Sequence, residues 1–525
     1  MSIFGTTAGL IGDYRAARRS LRTAGDNPPL RSADGHLTKL TLAKLRALSR
    51  RMERNSTDIR SLKAAILRFR VGKGVRVQSR SGDKAWDRAA ERIFNAWCAD
   101  CRLGGHASER TMAAVQMLLA SGQLVDGDFA VVAVEAGDGP RLQLVEADLV
   151  CDPPGAWGGV GMAGGDARPT DARPTDARRT IVGGVEVDGN GKVYAYHISR
   201  YTSAGIVSLY SKDFSRVPAE SVWLFMSAER VQTRGTPAFA ASADIADHLM
   251  RFRLATVITA ENQAMASEFV EVESGAPGFP AEPDIGGAAS GSKEALAAQV
   301  GGTVETNGGV EQVVQPMDHG MRIYLDPGQK VNRPVPSQPN PNVPGMVNML
   351  CRDLAAEHGV PIELTRADSS LSNFHAFRAA VNLAVERGID WQHTEMLPFM
   401  QWCWRLCIGT AISNGQIGLP TVDGEESPAW DSIVVMGPGR PLLDPADDFK
   451  GLADARAANL ITHAQAVEMY GQDSQEMLEQ VAAEKALERN LGIEPALMPG
   501  ASAGGGGKAP GPEVRGTQDD GGGGG

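Results

Sequence analysis

The sequence predicts an α+β protein, and three observations carry that prediction. Long blocks repeat apolar residues at helical spacing. The clearest runs from Pro344 to about Gln401, where Val347, Leu350, Cys351, Leu354 and His358 mark one amphipathic helix. Short runs alternate as strands, most plainly IVGGVEVDGNGKVYAYHISR, in which Asn190-Gly191 is a hairpin signal by itself. Between helical blocks, from Val270 to Val343, Gly, Pro and Ala dominate, and only Val310–Val314 and Met321–Leu325 look strand-like.

In order along the chain, the first 25 residues read as a mobile arm. Helices follow at about Thr41–Asn55 and Thr57–Phe69, and Gly72 and Gly74 break the second before the strand VRVQSR. Trp86–Cys101 places Trp86, Ala89, Ile93 and Trp97 on one helical face, and Thr111–Leu124 is another helix. Asp128–Val134 and Leu142–Val145 alternate as strands. A direct repeat of Asp-Ala-Arg-Pro-Thr at 166–178 is too polar and Pro-rich for a core and reads as an expanded surface loop. Ser242–Phe269 is one long helix, about 42 Å at 1.5 Å per residue. Gly359 and Pro361 end the helix that starts near Pro344. The stretch from Thr365 to Asn373 is nearly all turn and cap residues, and a second helix restarts on Phe374, Phe377, Arg378 and Val381 toward Trp404. A strand near Trp430–Met436, a helical region from Pro441, a capping box at Thr462-His-Ala-Gln465 and a helix from Asp473 to Asn490 complete the pattern. The Gly-rich end from residue 499 reads as a disordered tail.

At 525 residues the chain can hold several packing units. No apolar run reaches the roughly 18 residues needed to cross a bilayer. The basic residues of the N-terminus follow its short apolar stretch, the reverse of a secretory signal, so cytosolic synthesis is expected. The net charge of −11 hides an asymmetry: residues 1–80 hold 18 basic and 5 acidic side chains, a net of +13, and the remainder carries −24. A basic arm on an acidic body suits a nucleic-acid or acidic-subunit partner, or is simply a solvated arm. The acidic body argues against tight DNA wrapping but suits a surface past which DNA slides.

Motifs for catalysis are missing. The sequence has no GxxxxGK[ST] to hold nucleotide phosphates, no HExxH and no GxSxG. The runs Gly286–Gly291 and Gly301–Gly309 lack the strand-to-helix frame of a dinucleotide site. His319, His358, His375 and His393 have no metal-ligand spacing, and Asp447-Asp448 and Glu425-Glu426 read as solvated faces or helix starts. Cys98-Ala-Asp-Cys101 is a lone CxxC, and Cys403 and Cys407 sit one turn apart among apolar residues. Core packing accounts for both pairs, with a redox role for Cys98/Cys101 as the remote alternative.

The segment GVPIELTRADSSLSNFHAFRAA resembles the stretch of lambda-type phage portal proteins that runs G-V-P-x-E-x-L-T-x-D-x-S-x-x-N-Y-S-S-x-R-A-A. Other blocks follow in the same order. LRALSRRMERN is similar to R-x-R-S-R-x-L-x-R-N-N, VGKGVRVQS to V-G-x-G-I-x-x-Q, and Asp126-Gly-Asp-Phe to D-G-D/E-x-F. LQLVEADLV, IVGGVEVDGNGKVYAYHISR, VPAESVWLF, Arg234-Gly-Thr-Pro237, the segment from Tyr324 to Val331 and the C-terminal helices continue the series, over about residues 40–495. Asn373-Phe-His-Ala376 departs from N-Y-S-S, and Ala367-Asp368 from G-D, removing two hydroxyls and a phenol.

The resemblance implies a portal-protein fold with wing, stem, clip and crown regions: long stem and wing helices, with small β-sheets in wing and clip. It divides the chain into a basic arm (1–40), wing (41–236), first stem helix (237–269), clip (270–343), second stem helix (344–363), tunnel loop (364–373), long wing helix (374–414), wing strand and linker (415–445), crown helices (446–495) and a tail (496–525). It implies a structural ring, a dodecamer, and neither an enzyme nor a cofactor protein. The ring would sit at the capsid vertex of a virion, after assembly in the host cytoplasm. Its implied partners are double-stranded DNA, the terminase large subunit, the major capsid protein and a head–tail completion protein, with no membrane. Arg366, Asp368, Ser369, Ser370, Leu371, Ser372 and Asn373 are the implied DNA-channel residues, with Arg366 either meeting phosphate or pairing with Asp368. Another ring-forming capsid or head–tail connector protein is the alternative.

Overall fold

A computed structural model describes residues 32–137, 139–153, 179–199, 214–226, 228–264, 268–270, 303–307, 310–314, 322–324, 341–368, 370 and 373–492. Two units emerge, Met1–Leu443 and Asp444–Gly525. The architecture is mixed, with helices carrying most of the core and several small sheets. The 166–178 repeat, residues 1–31 of the expected arm, most of 270–343 and the tail lie outside the described residues.

The first unit starts with helices α1 (Ala33–His36), α2 (Lys39–Asn55), α3 (Thr57–Arg70), α4 (Lys84–Cys98) and α5 (Met112–Asp126). Each starts where a short polar side chain can accept from the orphan N–H groups of the first turn. Thr38 accepts from Thr41, Ser56 from Ile59, Asp83 from Ala85 and Trp86, and Thr111 from Ala114. Helix α1 and the start of α2 thus lie inside the expected arm of residues 1–40, and the Asp34 carboxylate accepts from Thr233 N at 2.8 Å.

Strand β1 (Arg76–Ser79) follows α3, and β2 (Asp128–Ala136) and β3 (Gly139–Glu146) form a hairpin. Strands β4 (Thr180–Val182), β5 (Val185–Val187), β6 (Val193–Ser199) and β7 (Phe214–Pro218) form one antiparallel sheet. The Asn190-Gly191 turn is there, in a wider loop whose Asp188 carboxylate accepts from the N–H groups of Asn190 and Lys192. Strand β8 (Val222–Met226) joins β2 to give a sheet ordered β3-β2-β8. The run FAVVAV in β2 is apolar on both faces because both faces are covered. Val131 enters the large helical core with Leu142 and Phe225, whereas Ala130 and Val132 face a smaller cluster with Val185, Val187 and Tyr196.

Helix α6 spans Ala243–Ala264, and Glu268–Val270 is already a strand, β9. This corrects the expected helix to Phe269: its 22 residues make about 33 Å rather than 42 Å. Phe269 and Val270 suit a pleat, and β9 pairs in parallel with β12 (Arg322–Tyr324). Between them β10 (Thr303–Asn307) and β11 (Val310–Val314) form a hairpin. Helix α7 (Val343–His358) and a short helix α8 (Ile362–Arg366) lead to α9 (Phe374–Trp391). One π-helical turn, Gln392–Met396, joins α9 to α10 (Leu397–Ser413), so the expected long helix forms with a wider turn inside it. Trp404, Phe399, Met400 and Cys403 of α10 are fully buried. The buried Gln392 amide donates to the carbonyls of Phe69 and Arg70 (3.2 and 3.0 Å), satisfying the C-terminal end of α3. A small hairpin of β13 (Thr421–Val422) and β14 (Glu425–Glu426) precedes β15 (Ile433–Met436), which pairs with β1.

The second unit holds α11 (Pro445–Ala457), α12 (His463–Glu468) and α13 (Ser474–Leu491). The predicted capping box is formed, with Thr462 Oγ1 and Gln465 Oε1 each accepting from the other's backbone N–H. Asp473 caps α13.

Three arginines and three aspartates tie the first unit together. Asp128, wholly buried at the start of β2, accepts from Arg234 Nε (2.7 Å) and Nη2 (2.8 Å), Arg46 Nη2 (3.1 Å) and the Gly235 N–H (3.0 Å). That fills the four lone-pair sites of a carboxylate. Arg234 also donates to the carbonyls of Val150, Gly183 and Ala147, so all five of its N–H groups are used. Arg46 and Arg50 share Asp148, and Arg50 Nε meets Asp126 at 2.7 Å. The approach of backbones requires glycine: a Cβ on Gly235 would lie 2.0 Å from the Gly127 carbonyl oxygen. Asp128→Ala strands two buried guanidinium groups, and equilibrium urea unfolding should show a loss of about 3–5 kcal/mol. A midpoint equal to that of the parent protein contradicts this account.

Candidate functional site

The polar stretch singled out by sequence sits between α7 and α9. Gly359 ends α7 in the left-handed conformation (φ 64°), its N–H bonding back to Ala356, and Val360 N reaches Ala355 O (3.1 Å). Pro361 then starts α8, so Thr365 and Arg366, expected in the loop, belong to a short helix. Glu363 and the apolar Ile362 and Leu364 allow that turn, and Ser61 Oγ of α3 donates to Thr365 O, pinning its end. Ala367 turns the chain at φ 52°, and its successor's N–H closes on Glu363 O (3.1 Å).

From there to Asn373 the described residues are exposed. Arg366, Asp368, Ser370 and Asn373 all face solvent, whereas Ser369, Leu371 and Ser372 lie outside the described residues. Arg366 donates through Nη1 to Asn348 Oδ1 on α7, so the hydrogen bond open between phosphate and Asp368 goes to a third group. The Asp368 carboxylate accepts from Ser370 N (3.0 Å), and that bond holds it below the usual carboxylate range. Asn373 Oδ1 caps α9 by accepting from His375 N (2.8 Å) and Ala376 N (3.3 Å). Exposed Phe374 stacks edge-on against His375, with ring centroids 5.8 Å apart. Among the described residues the helix-flanked turn offers the Ser370 hydroxyl, the Asn373 amide and the Arg366 guanidinium, with no nucleophile–base pair. Among the described residues no cluster of His, Cys, Asp or Glu could hold a metal ion, and no helix is long and apolar enough to cross a membrane.

The cysteine alternative meets a physical obstacle. Burial pushes the Cys101 thiol up to about 12 and the Cys98 thiol higher still, so neither supplies a thiolate near neutral pH. Cys101 Sγ donates to Arg110 O, and Cys403 and Cys407 pack in the same core. These thiols are packing groups.

A sequence model described as phage portal protein, lambda family, matches residues 19–392. The chain belongs to that family. Its role is that of a portal or connector protein. No curated protein matches the sequence. Among solved structures, a chain in the virion of a native gene transfer agent particle aligns at TM-score 0.39 and 13% identity, over 85% of this chain and 95% of that one. A chain in the neck of the empty particle, computed with C6 symmetry, gives 0.41 and 14% over 86% and 97%. One in the neck of the native particle, computed with C12 symmetry, gives 0.34 and 14% over 73% and 88%.

Sequence reading noticed the portal blocks containing Arg46 and Arg50, Asp126 and Asp128, Asp148, and Arg234 without seeing that they meet. The available signal was charged residues in otherwise apolar blocks, where burial demands partners. The sequence put His358 on the amphipathic face of its helix, without metal-ligand spacing, but did not show its surroundings. That imidazole closes α7, stacks edge-on against Phe239 (5.3 Å), and leaves Nε2 buried without a partner. Burial, with the charges of Arg70 and Arg387, lowers its pKa from 6.5 to about 4. The unfolded chain therefore takes up a proton before the folded chain does. The stability supplied by the neutral ring is full above pH 6.5 and drains away as pH falls toward 4, by about 3 kcal/mol. Urea unfolding of His358→Leu should show a flatter pH slope in that window. An unchanged slope contradicts the assignment.

Proposed function

We propose that the chain forms a ring, a dodecamer, at one capsid vertex, and that its channel carries DNA inward during packaging and outward during ejection. The family match carries this reading. In it the terminase large subunit and later a head–tail completion protein dock on the ring, and the major capsid protein surrounds it. Residues 41–236 with the long helix 374–414 and the strand region 415–445 form the wing. Helices α6 and α7 form the stem, residues 270–343 the clip and 446–495 the crown. The parallel pair of β9 and β12 supports the clip assignment, because it brings the two ends of the β10–β11 insertion together.

The work of the channel is electrostatic and geometric. Beyond residue 80 the chain carries a net −24, which repels phosphate and keeps a moving duplex from sticking. The turn from Arg366 to Asn373 then supplies weak contacts from hydroxyls, amides and one guanidinium. Arg366, held by Asn348, directs its remaining N–H groups to a passing phosphate, while the ionised Asp368 limits the attraction. Changing Ser369, Ser370 and Ser372 to alanine should lower the yield of packaged DNA while negative-stain images still show rings. Packaging at the parent level would remove the loop from the mechanism.

A further inference from the structure

The charge asymmetry of the sequence continues into the folded chain. Of the 18 basic side chains in residues 1–80, 13 lie in residues 39–80, which the structure describes. Helix α4 then adds Lys84, Arg88 and Arg92, although the chain beyond residue 80 is acidic as a whole.

Five of these cations share one face. Strand β1 alternates, with Val77 and Ser79 buried and Arg76 exposed on the other side. The Arg80 N–H bonds to Ser432 O (2.9 Å), which extends the pleat and turns exposed Arg80 to the same side as Arg76. Helix α4 lies along the edge of β1 that β15 does not pair. There Glu91 accepts from Ser79 N (2.7 Å), and Asp87 Oδ1 accepts from Ser79 Oγ (2.6 Å) and Ser81 N (3.0 Å). Trp86, Ala90 and Phe94 of α4 enter the same core as Val77 and Ile433, so strand pair and helix form one layer with one outer side. Lys84, Arg88 and Arg92 stand exposed on that outer side, at steps of four residues or about 6 Å.

Signs are segregated as well. Asp83, Asp87 and Glu91 alternate with the cations in sequence, yet all three are engaged inside the fold. Asp83 caps α4 and accepts from Thr421 N (3.2 Å), and the other two hold β1. The other exposed residues of α4 are Ala85, Asn95 and Ala96. Exposed Asp423, Glu425 and Glu426 of the β13–β14 hairpin bound the face at its Asp83 end.

We propose that this face binds the phosphate backbone of double-stranded DNA lying against the side of the protein. A row of cations about 12 Å long on α4, with two more on β1 beside it, suits a polyanion of regular spacing. A docked protein buries aromatic or large apolar anchors, and a single strand needs aromatic rings on which to stack its bases. The exposed side of α4 has neither, only small side chains between its cations. Contacts to phosphate alone read no sequence. The face uses residues other than the channel turn and needs no ring to hold.

Binding of the full chain to relaxed closed-circular duplex DNA tests this, because a closed circle has no end to enter a channel. The parent protein should bind at low salt, with an affinity that falls steeply as salt rises. Arg76→Glu, Lys84→Glu and Arg92→Glu together should weaken binding at least about tenfold and lower the slope of log K against log salt by about 2.7. Arg76→Gln, Lys84→Gln or Arg92→Gln alone, each at an exposed site, should lower the slope by about 0.9. Arg456→Glu, Lys485→Glu and Arg489→Glu make the same change of charge on exposed sites of the second unit and should leave binding near that of the parent. A parent protein that does not bind the circle, glutamine variants with the parent slope, or an equal loss in the second-unit variant overturns the proposal. Polyglutamate bound as tightly as duplex at equal charge also overturns it and gives the face to an acidic protein. None of these outcomes bears on the channel proposed above.

Discussion

The carboxylate of Asp128 is the constraint on which the first unit depends. It lies out of water, where an unpaired negative charge is prohibitive, and is acceptable only because two guanidinium groups and a backbone N–H fill its lone pairs. Those donors come from α2 and from the segment leading into α6. The shared carbonyls of Ala147, Val150 and Gly183 bring in the end of β3 and the turn before β5. Such a cluster adds little net stability over a well-packed apolar one. What it fixes is position: displacing any one element strands a charge. The direction in which α6 leaves the sheets, and so the placement of α7 and the turn beyond it, is set there.

Much of the fold was legible because its signals are local. Helix starts follow from side chains that can reach their own first turn, and Thr38, Ser56, Thr111, Thr462 and Asp473 all do so. Strand β2 was legible from its β-branched run. The end of α6 was not, because residues 243–269 contain no proline or glycine to stop a helix. The strand at Glu268–Val270 depends on a partner more than 50 residues away. Helix α8 was hidden for a related reason: five residues are too few to show a period, and its last turn is held by Ser61 from a distant helix.

The candidate site was half legible. Family blocks marked Arg366 through Asn373, and the cap by Asn373 is a sequence-level signal. Arg366 bonding to Asn348 was not, since it joins residues 18 apart on different helices. The buried arginine–aspartate cluster was invisible for the same reason. Its partners are separated by about 80 to 107 residues, and periodicity says nothing at that range.

The π-helical turn has a consequence for chain length. At about 100° per residue, the buried positions of α9 (Val381, Ala384, Val385, Gly388) and those of α10 (Phe399, Met400, Cys403, Trp404, Cys407) would point about 100° apart on an unbroken α-helix. One surplus residue in the wide turn cancels that offset and brings both sets onto one buried face. His393 and Thr394 on the outside of the turn are exposed, so the surplus is carried where nothing packs. The turn thus does geometrically what one extra residue in an α-helix would do. A relative one residue shorter at this point could run a plain α-helix through it and keep both faces, making the spot a natural site of length variation inside an otherwise fixed helix.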